Sequence, residues 1–350
     1  MFFATLFRVV CSRLTCCPFS VTVSLALLSL TSADYMKQDP MYNLFRWALL
    51  NETIFSTEGI DAPASDSAYA HVVVTEALGV ARNVELAAET TVIMHVWMEI
   101  THHLYDSIRE CQKGDSKAVR SIDEAVALWI GEDQTRGSYS TGYLMYYIAQ
   151  QAASKFGYPE GEAAANTKLL ELFNLAKTTS QSCSTTPDVS SSLRLLVAEI
   201  LSWMTVPLIQ NLIYYVNQGN VNYAELYALA TIPQAVGCGE NRYESLRNVL
   251  VNENNTVTFD SLSSDFMNEF QAFQKCLRIT CNDIRDRPIA DAALNNAVSD
   301  LCFDDTAPDA YALVGYNSTA ALDEVSHHNV EQSRCVLLLP NLSLVWPVGS

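Results

Sequence analysis

The hydrophobic pattern of this chain is helical over most of its length. From residue 66 onward, apolar side chains recur at spacings of three and four residues within long Ala-, Leu- and Glu-rich segments. Gly79 and the Thr90–Thr91 pair are the weak points of the first segment, where we expect a break or a division into two helices. Only residues 251–259 and 336–350 resemble strands. The sequence therefore predicts an all-α, multi-helix bundle with a short non-helical C-terminal segment.

Local signals predict some helix ends. Ser121 and Glu124 have the S-x-x-E spacing of a capping box, so a helix is expected to begin at Ser121 and to end at Gly131. A second end is predicted at Gly157. Pro207 lies inside a strongly apolar segment and is expected to kink its helix.

A polar stretch divides the chain into two predicted helical units. Residues 178–192 are rich in Ser and Thr, which favours a linker between unit 1 (34–180) and unit 2 (193–335), followed by a C-terminal segment (336–350). The Trp97–Met98 pair has a counterpart at Trp203–Met204, about 106 residues later. This echo leads to the hypothesis of tandem helical units, with chance as the alternative in an Ala-rich helical chain.

The N-terminus has the layout of a secretory signal peptide over residues 1–33. Arg8 and Arg13 precede an apolar run at residues 21–30, and small residues follow up to Ala33. The run is shorter than the roughly 20 residues that span a bilayer, so cleavage is favoured over an uncleaved anchor. No transmembrane segment is expected after the signal. The apolar tail at 336–348 contains Pro340, which favours a packed segment over a removed lipid-anchor tail.

Glycosylation sequons and cysteines agree with export to the cell surface or the extracellular medium. Four acceptor sequons occur. Seven cysteines remain after the signal, and in an oxidising compartment they predict up to three disulfides and one unpaired thiol, with the pairing left open. The sequons lie at Asn51, Asn254, Asn317 and Asn341, and the cysteines at Cys111, Cys183, Cys238, Cys276, Cys281, Cys302 and Cys335.

The chain is strongly acidic. Its formal net charge is −18, and because residues 1–33 contain two arginines and no acidic residue, the remainder carries 19 basic and 39 acidic side chains, or −20. Such a surface repels nucleic acid and anionic membranes and suits metal cations or basic extracellular proteins. The alternative is a solvated acidic surface that maintains solubility.

One helical stripe concentrates side chains that can bind a metal ion. His95, Glu99, His102 and Asp106 have spacings of 0, 4, 7 and 11, which place them on one face of an α-helix. Carboxylate and imidazole groups bind iron and similar ions, so these four residues are the candidate ligands, with no catalytic residue assigned. A plain solvated helix face and a proton-handling site are the alternatives.

A second E-x-x-H pair permits a di-iron hypothesis. Glu99 and His102 share this spacing with Glu324 and His327, and di-iron bundles use two such pairs. The second pair lies in a polar stretch that is typical of the surface, which favours a protein without enzymatic activity. Nucleophile-elbow, P-loop, EF-hand and zinc-protease patterns do not occur in the sequence. The tyrosines at 139, 143, 146 and 147 favour a core or an interface.

The segment from Ser121 to Gly157 resembles a family. The matching residues are Asp123 to Ala127, Trp129 to Gly131 and Gly142 to Leu144. They are similar to segments of secreted, mostly helical repeat proteins of microalgae, of the periplasmic iron-assimilation type. The resemblance implies iron binding and assigns no functional residue. The expected function is extracellular iron capture or uptake by an acidic glycoprotein; the alternative is a structural or interaction module without a cofactor.

Overall fold

The computed structural model describes residues 35–36, 39–50, 70, 73–74, 84–131, 144–185, 189–238, 240–251 and 262–303, and these residues contain helices and no β-strand. The helices are α1 (Pro40–Leu50), α2 (Val84–Thr90), a π-helical segment (Thr91–Val96), α3 (Trp97–Gln112), α4 (Lys117–Ile130), α5 (Met145–Lys155), α6 (Ala164–Ser180), α7 (Val189–Asn217), α8 (Val221–Thr231), a 3-10 helix (Ile232–Cys238), α9 (Glu240–Leu250), α10 (Ser264–Leu277), α11 (Cys281–Ile284) and α12 (Ala292–Leu301).

The predicted all-α bundle is therefore confirmed. Several predictions lie outside the described residues: the signal peptide, the four sequons, Cys335, the pair Glu324 and His327, and the strand-like residues 252–259 and 336–350. Units 1 and 2 stay a prediction. The stretch that was expected to separate them covers the end of α6, the turn after it and the start of α7, and these two helices pack on each other.

Helix α7 is the central element of the bundle. It is apolar around its whole circumference, which is typical of a helix buried on all sides, and it packs against α3, α5, α6 and α8. It continues through Pro207. By length and composition it could also cross a membrane, but 67% of its most apolar window is buried inside the protein, as in a core helix.

The helix that carries the candidate ligands changes its winding at the predicted weak point. α2, the π-helical segment and α3 follow one another without a break from Val84 to Gln112. The hydroxyl of Thr90 donates to the carbonyl of Leu86 at 2.7 Å, and that of Thr91 donates to the carbonyl of Ala87 at 2.9 Å. Such bonds compete with the regular backbone pattern and favour a local change of winding. His95 lies in the widened turn, a feature that is frequent at functional sites.

One predicted helix start is wrong. α4 begins at Lys117, one turn before Ser121, and its N-cap is Ser116. Ser121 is buried within the helix, where its hydroxyl donates to Oε2 of Glu110 on α3 at 2.8 Å, so packing against α3 replaces the capping role. The predicted end at Gly131 is confirmed, since this residue has a positive φ of 78° and its amide donates to the carbonyl of Ala127.

Three disulfides join separate parts of the bundle. Cys111 at the end of α3 pairs with Cys183 in the turn after α6, Cys238 pairs with Cys276 on α10, and Cys281 pairs with Cys302. The number agrees with the predicted maximum of three. Disulfides persist in oxidising environments, so the pairing fits a chain that folds in such a compartment.

Candidate functional site

Helix α3 carries a cluster of charged groups that is buried except at Asp106, whose side chain is 33% exposed. Nδ1 of His102 lies 2.5 Å from Oδ2 of Asp39, and its Nε2 lies 3.1 Å from Oδ2 of Asp106. The guanidinium of Arg109 donates to Oδ1 of Asp39 at 2.5 Å and also contacts Asp106. Asp39 is 1% exposed and His102 7%. Two carboxylates and two cations thus form a neutral quartet, as a low-dielectric site requires.

Four further side chains form the rim of this quartet. The Tyr35 hydroxyl donates to Oε2 of Glu99 at 3.0 Å, and its ring centroid lies 4.7 Å from that of His102. His103 lies between two carboxylates: its Nε2 is 3.5 Å from Oε1 of Glu99, and its Nδ1 is 3.4 Å from Oε2 of Glu124 on α4. The rim therefore holds an imidazole and two carboxylates at distances longer than those of strong charge-assisted hydrogen bonds.

The surroundings change the acidity of these groups in opposite directions. Burial alone would lower the pKa of His102, but the hydrogen bonds to Asp106 and Asp39 and their charges outweigh it and raise this pKa to about 9. Burial opposes the ionisation of Asp106, yet His102 and Arg109 lower its pKa to about 2. Burial raises the pKa of Glu99 and lowers that of His103. His102 is therefore a cation at neutral pH.

The structure brings three of the four predicted ligands into this cluster region: His102 and Asp106 lie in the quartet, and Glu99 lies in the rim. His95 is buried at 4% exposure in the π-helical segment. Among the described residues, no group of three or more His, Cys, Asp or Glu side chains has an arrangement that could hold a metal ion. The fit to a metal is poor at His102 itself, because both of its ring nitrogens face carboxylates and not an open coordination position.

Comparison with protein-family models, with curated proteins and with solved structures finds no match. The function therefore has to be inferred from the chemistry of the chain's own residues.

Sequence reasoning missed half of the quartet. Asp39 is separated from His102 by 63 residues and carries no helical periodicity that would connect the two. Arg109 could have been found, because it lies three residues after Asp106 and seven after His102, on the same helical face. The sequence also gave His103 no partner, although Glu99 four residues earlier is one.

The charge of His102 makes a pH-dependent contribution to stability. Because its folded pKa of about 9 lies above the ordinary value of 6.5, the contribution is complete below pH 6.5 and is lost as the pH rises through 9. The shift corresponds to on the order of 3 kcal/mol. The free energy of unfolding is measured by denaturant titration from pH 6.5 to 9.5. Its decrease over this range should be larger in the wild type than in His102→Gln, and the difference between the two decreases should equal this amount.

His103→Gln is the matched control, since burial lowers the pKa of His103. This variant should keep the wild-type decline because its quartet is intact. Other buried groups titrate in the same range, so the informative quantity is the difference between the wild type and each variant. Equal slopes in the wild type and in His102→Gln contradict a charged His102.

Proposed function

We propose that this protein is a non-enzymatic module of an extracellular, oxidising compartment, which binds or stabilises other macromolecules without a bound cofactor. The observation that carries the proposal is the pairing inside the quartet. Both ring nitrogens of His102 face carboxylates, and Arg109 occupies the remaining oxygens of Asp39 and Asp106. The charged groups of the quartet thus pair with one another and anchor the segment that contains Asp39.

The protonation of His102 favours this function over a metal at that residue. A metal ion can bind only the unprotonated ring, and the raised pKa of His102 keeps the ring protonated at pH 7, so metal binding would require loss of a proton that Asp39 and Asp106 stabilise. The metal would also have to displace Arg109 from Asp106. The formal charge of −18 favours a basic macromolecular partner, and the three disulfides support durability outside the cytosol.

Cation capture is the second candidate, and the acidic charge of the chain together with the donors of the rim supports it. Oε1 of Glu99 lies 3.5 Å from Nε2 of His103, and Oε2 of Glu124 lies 3.4 Å from Nδ1 of the same ring, so a cation would have to draw these groups together. Oxygen and nitrogen donors of this kind bind iron, the ion that the resemblance to iron-assimilation proteins implies. The four-residue ligand set of His95, Glu99, His102 and Asp106 stays a prediction.

Elemental analysis of protein purified from its natural source tests both candidates. A cofactor-free module should contain no stoichiometric metal, and its melting temperature should not change when a chelator is added, because nothing that stabilises the folded state is removed. One equivalent of iron per chain, together with a lower melting temperature in chelator, contradicts the module and supports capture.

Two double variants then locate any iron that binds. Loss of iron in Glu99→Ala/His103→Ala, with retention in His102→Ala/Asp106→Ala, identifies the rim. The reverse result identifies the predicted stripe, and binding that survives in both variants excludes α3 as the site. Circular dichroism of each variant shows whether the helices are retained.

A further inference from the structure

A second polar cluster lies where α2, α5, α7 and α8 meet. Lys155, the last residue of α5, donates through Nζ to Oδ1 of Asn211 at 2.6 Å and to the hydroxyl of Tyr215 at 3.0 Å. The same Nζ lies 4.2 Å from the ring centroid of Tyr215 and 4.9 Å from that of Tyr214. The amine is therefore held in one place by two hydrogen bonds and two aromatic faces.

A carboxyl group and stacked tyrosines complete the cluster. The Tyr227 hydroxyl donates to Oε1 of Glu89 on α2. The Tyr215 ring stacks on Tyr223 at 4.7 Å and lies 5.7 Å from Tyr227. Tyr227 is fully buried, whereas Lys155, Glu89, Tyr215 and Tyr223 are half-buried. The cluster thus has a buried floor and a rim that reaches solvent.

Burial shifts the two ionisable ends of the cluster toward their uncharged forms. It lowers the pKa of Lys155 to about 8, against the opposing effect of the Glu89 charge. It also raises the pKa of Glu89, although the hydrogen bond from Tyr227 and the charge of Lys155 act in the other direction. Glu85 on α2 is the other carboxylate that acts on this cluster, through Tyr215 and Tyr223.

A buried donor marks the position of a ligand atom. Asn211 is 1% exposed, and its Oδ1 accepts the bond from Lys155, but its Nδ2 has no hydrogen-bond partner. Buried amide groups are rarely left without a partner, because the loss of hydration costs about 1–3 kcal/mol. Since Oδ1 and Nδ2 belong to the same carboxamide, the vacant donor lies next to the amine. An acceptor oxygen placed there would be adjacent to Nζ.

We propose that this cluster is a binding site for small aromatic aldehydes or ketones, in which Lys155 forms an imine with the carbonyl carbon. Tyr214 and Tyr223 are half-buried at the solvent side of the cluster and would contact an aromatic group, and Nδ2 of Asn211 would donate to the carbonyl oxygen. Because the protein surface is acidic, an uncharged carbonyl compound suits the site better than an anion.

The bond changes balance without an oxidant or a further reactant. The lone pair of Nζ forms a bond to the carbonyl carbon, the C=O π pair moves to oxygen, and an amine proton moves to that oxygen to give a carbinolamine. A proton from solvent then reaches the hydroxyl, which leaves as water as the nitrogen pair forms the C=N bond. The remaining nitrogen proton returns to solvent, so one water is released for each imine.

Reductive trapping on the full-length protein tests the proposal. Benzaldehyde with cyanoborohydride converts an imine into a stable N-benzyl-lysine, which peptide mass spectrometry locates. At pH 7.5 Lys155 should be labelled about 10- to 100-fold faster than Lys168 and Lys177, because a larger fraction of its amine is uncharged. Those two lysines form exposed ion pairs and are the internal controls. The rate at Lys155 should be half-maximal near pH 8.

Two variants distinguish a binding site around Lys155 from a lysine that is reactive on its own. Asn211→Leu removes the donor while keeping the side-chain volume and should slow labelling of Lys155 about tenfold. Glu89→Gln removes the charge that raises the pKa of Lys155 and should not slow labelling, and both variants should leave Lys168 unchanged. Guanidinium-denatured wild type should lose the selectivity. Labelling of native Lys155 no faster than Lys168 overturns the proposal. Unchanged labelling of Lys155 in Asn211→Leu, with the variant shown to be folded by circular dichroism, also overturns it.

Discussion

Asp39→Asn is expected to lower the free energy of unfolding by about 3–5 kcal/mol, because it leaves the charges of His102 and Arg109 buried with one carboxylate in place of two. Asp39 is 1% exposed and accepts from both cations at 2.5 Å, so water cannot replace the lost charge. Denaturant unfolding followed by circular dichroism at pH 7 measures the change.

Asp123→Asn is the matched control. Asp123 accepts from Lys177 at 2.7 Å, but the two side chains are 51% and 42% exposed, and such surface pairs contribute about 1 kcal/mol or less. The burial of the pair, and not its distance, thus decides the effect. A loss at Asp39→Asn no larger than that at Asp123→Asn contradicts a buried quartet.

Removing the Cys111–Cys183 disulfide is expected to have the second large effect. Its cysteines are 72 residues apart, so in the chain-entropy account the cross-link stabilises the fold by about 4 kcal/mol. The Cys281–Cys302 bond closes a loop of 21 residues and should contribute about 3 kcal/mol. Double alanine variants of each pair, compared by denaturant unfolding under oxidising conditions, give the two values.

The critical test is which of the two disulfide variants loses more free energy of unfolding. Cys111, Cys183 and Cys302 are buried and Cys281 is half-buried, so loop length and packing both predict the larger loss for the Cys111/Cys183 variant. A larger loss for the Cys281/Cys302 variant than for the Cys111/Cys183 variant contradicts loop closure as the main source of the stabilisation.

The spacing of apolar residues predicted the helices, because it shows which side of a single helix is buried. The segment around His102 repeats apolar residues at helical spacing, and the structure buries Trp97, Ile100, Leu104 and Ile108 accordingly. Gly131 ended its helix as expected because its φ of 78° lies where side chains are unfavourable. Such local signals need no knowledge of the remaining chain.

The sequence did not indicate which polar residues of distant helices would contact each other. Spacing placed Glu99, His102 and Asp106 on one face of α3, but nothing in it indicated that Asp39 would lie against His102. Lys155 and Asn211 are 56 residues apart. The only sign of their cluster in the sequence is the group of tyrosines at Tyr214, Tyr215, Tyr223 and Tyr227. The geometry of the bundle decides which polar residues of different helices meet, and an amphipathic pattern does not encode that geometry.

The π-helical turn at Thr91–Val96 sets the angle between two polar clusters that lie on the same continuous helix. Glu89 precedes it and belongs to the Lys155 cluster, whereas Glu99 follows it and belongs to the rim beside the quartet. A π-helical turn holds about one residue more than an α-helical turn, so a protein of the same descent with one residue fewer here could continue as ordinary α-helix and keep the two clusters in nearly the same relative orientation. A one-residue alignment gap inside 91–96 is therefore compatible with both clusters, whereas a two-residue gap would leave one residue uncompensated and rotate one cluster against the other by about 100°.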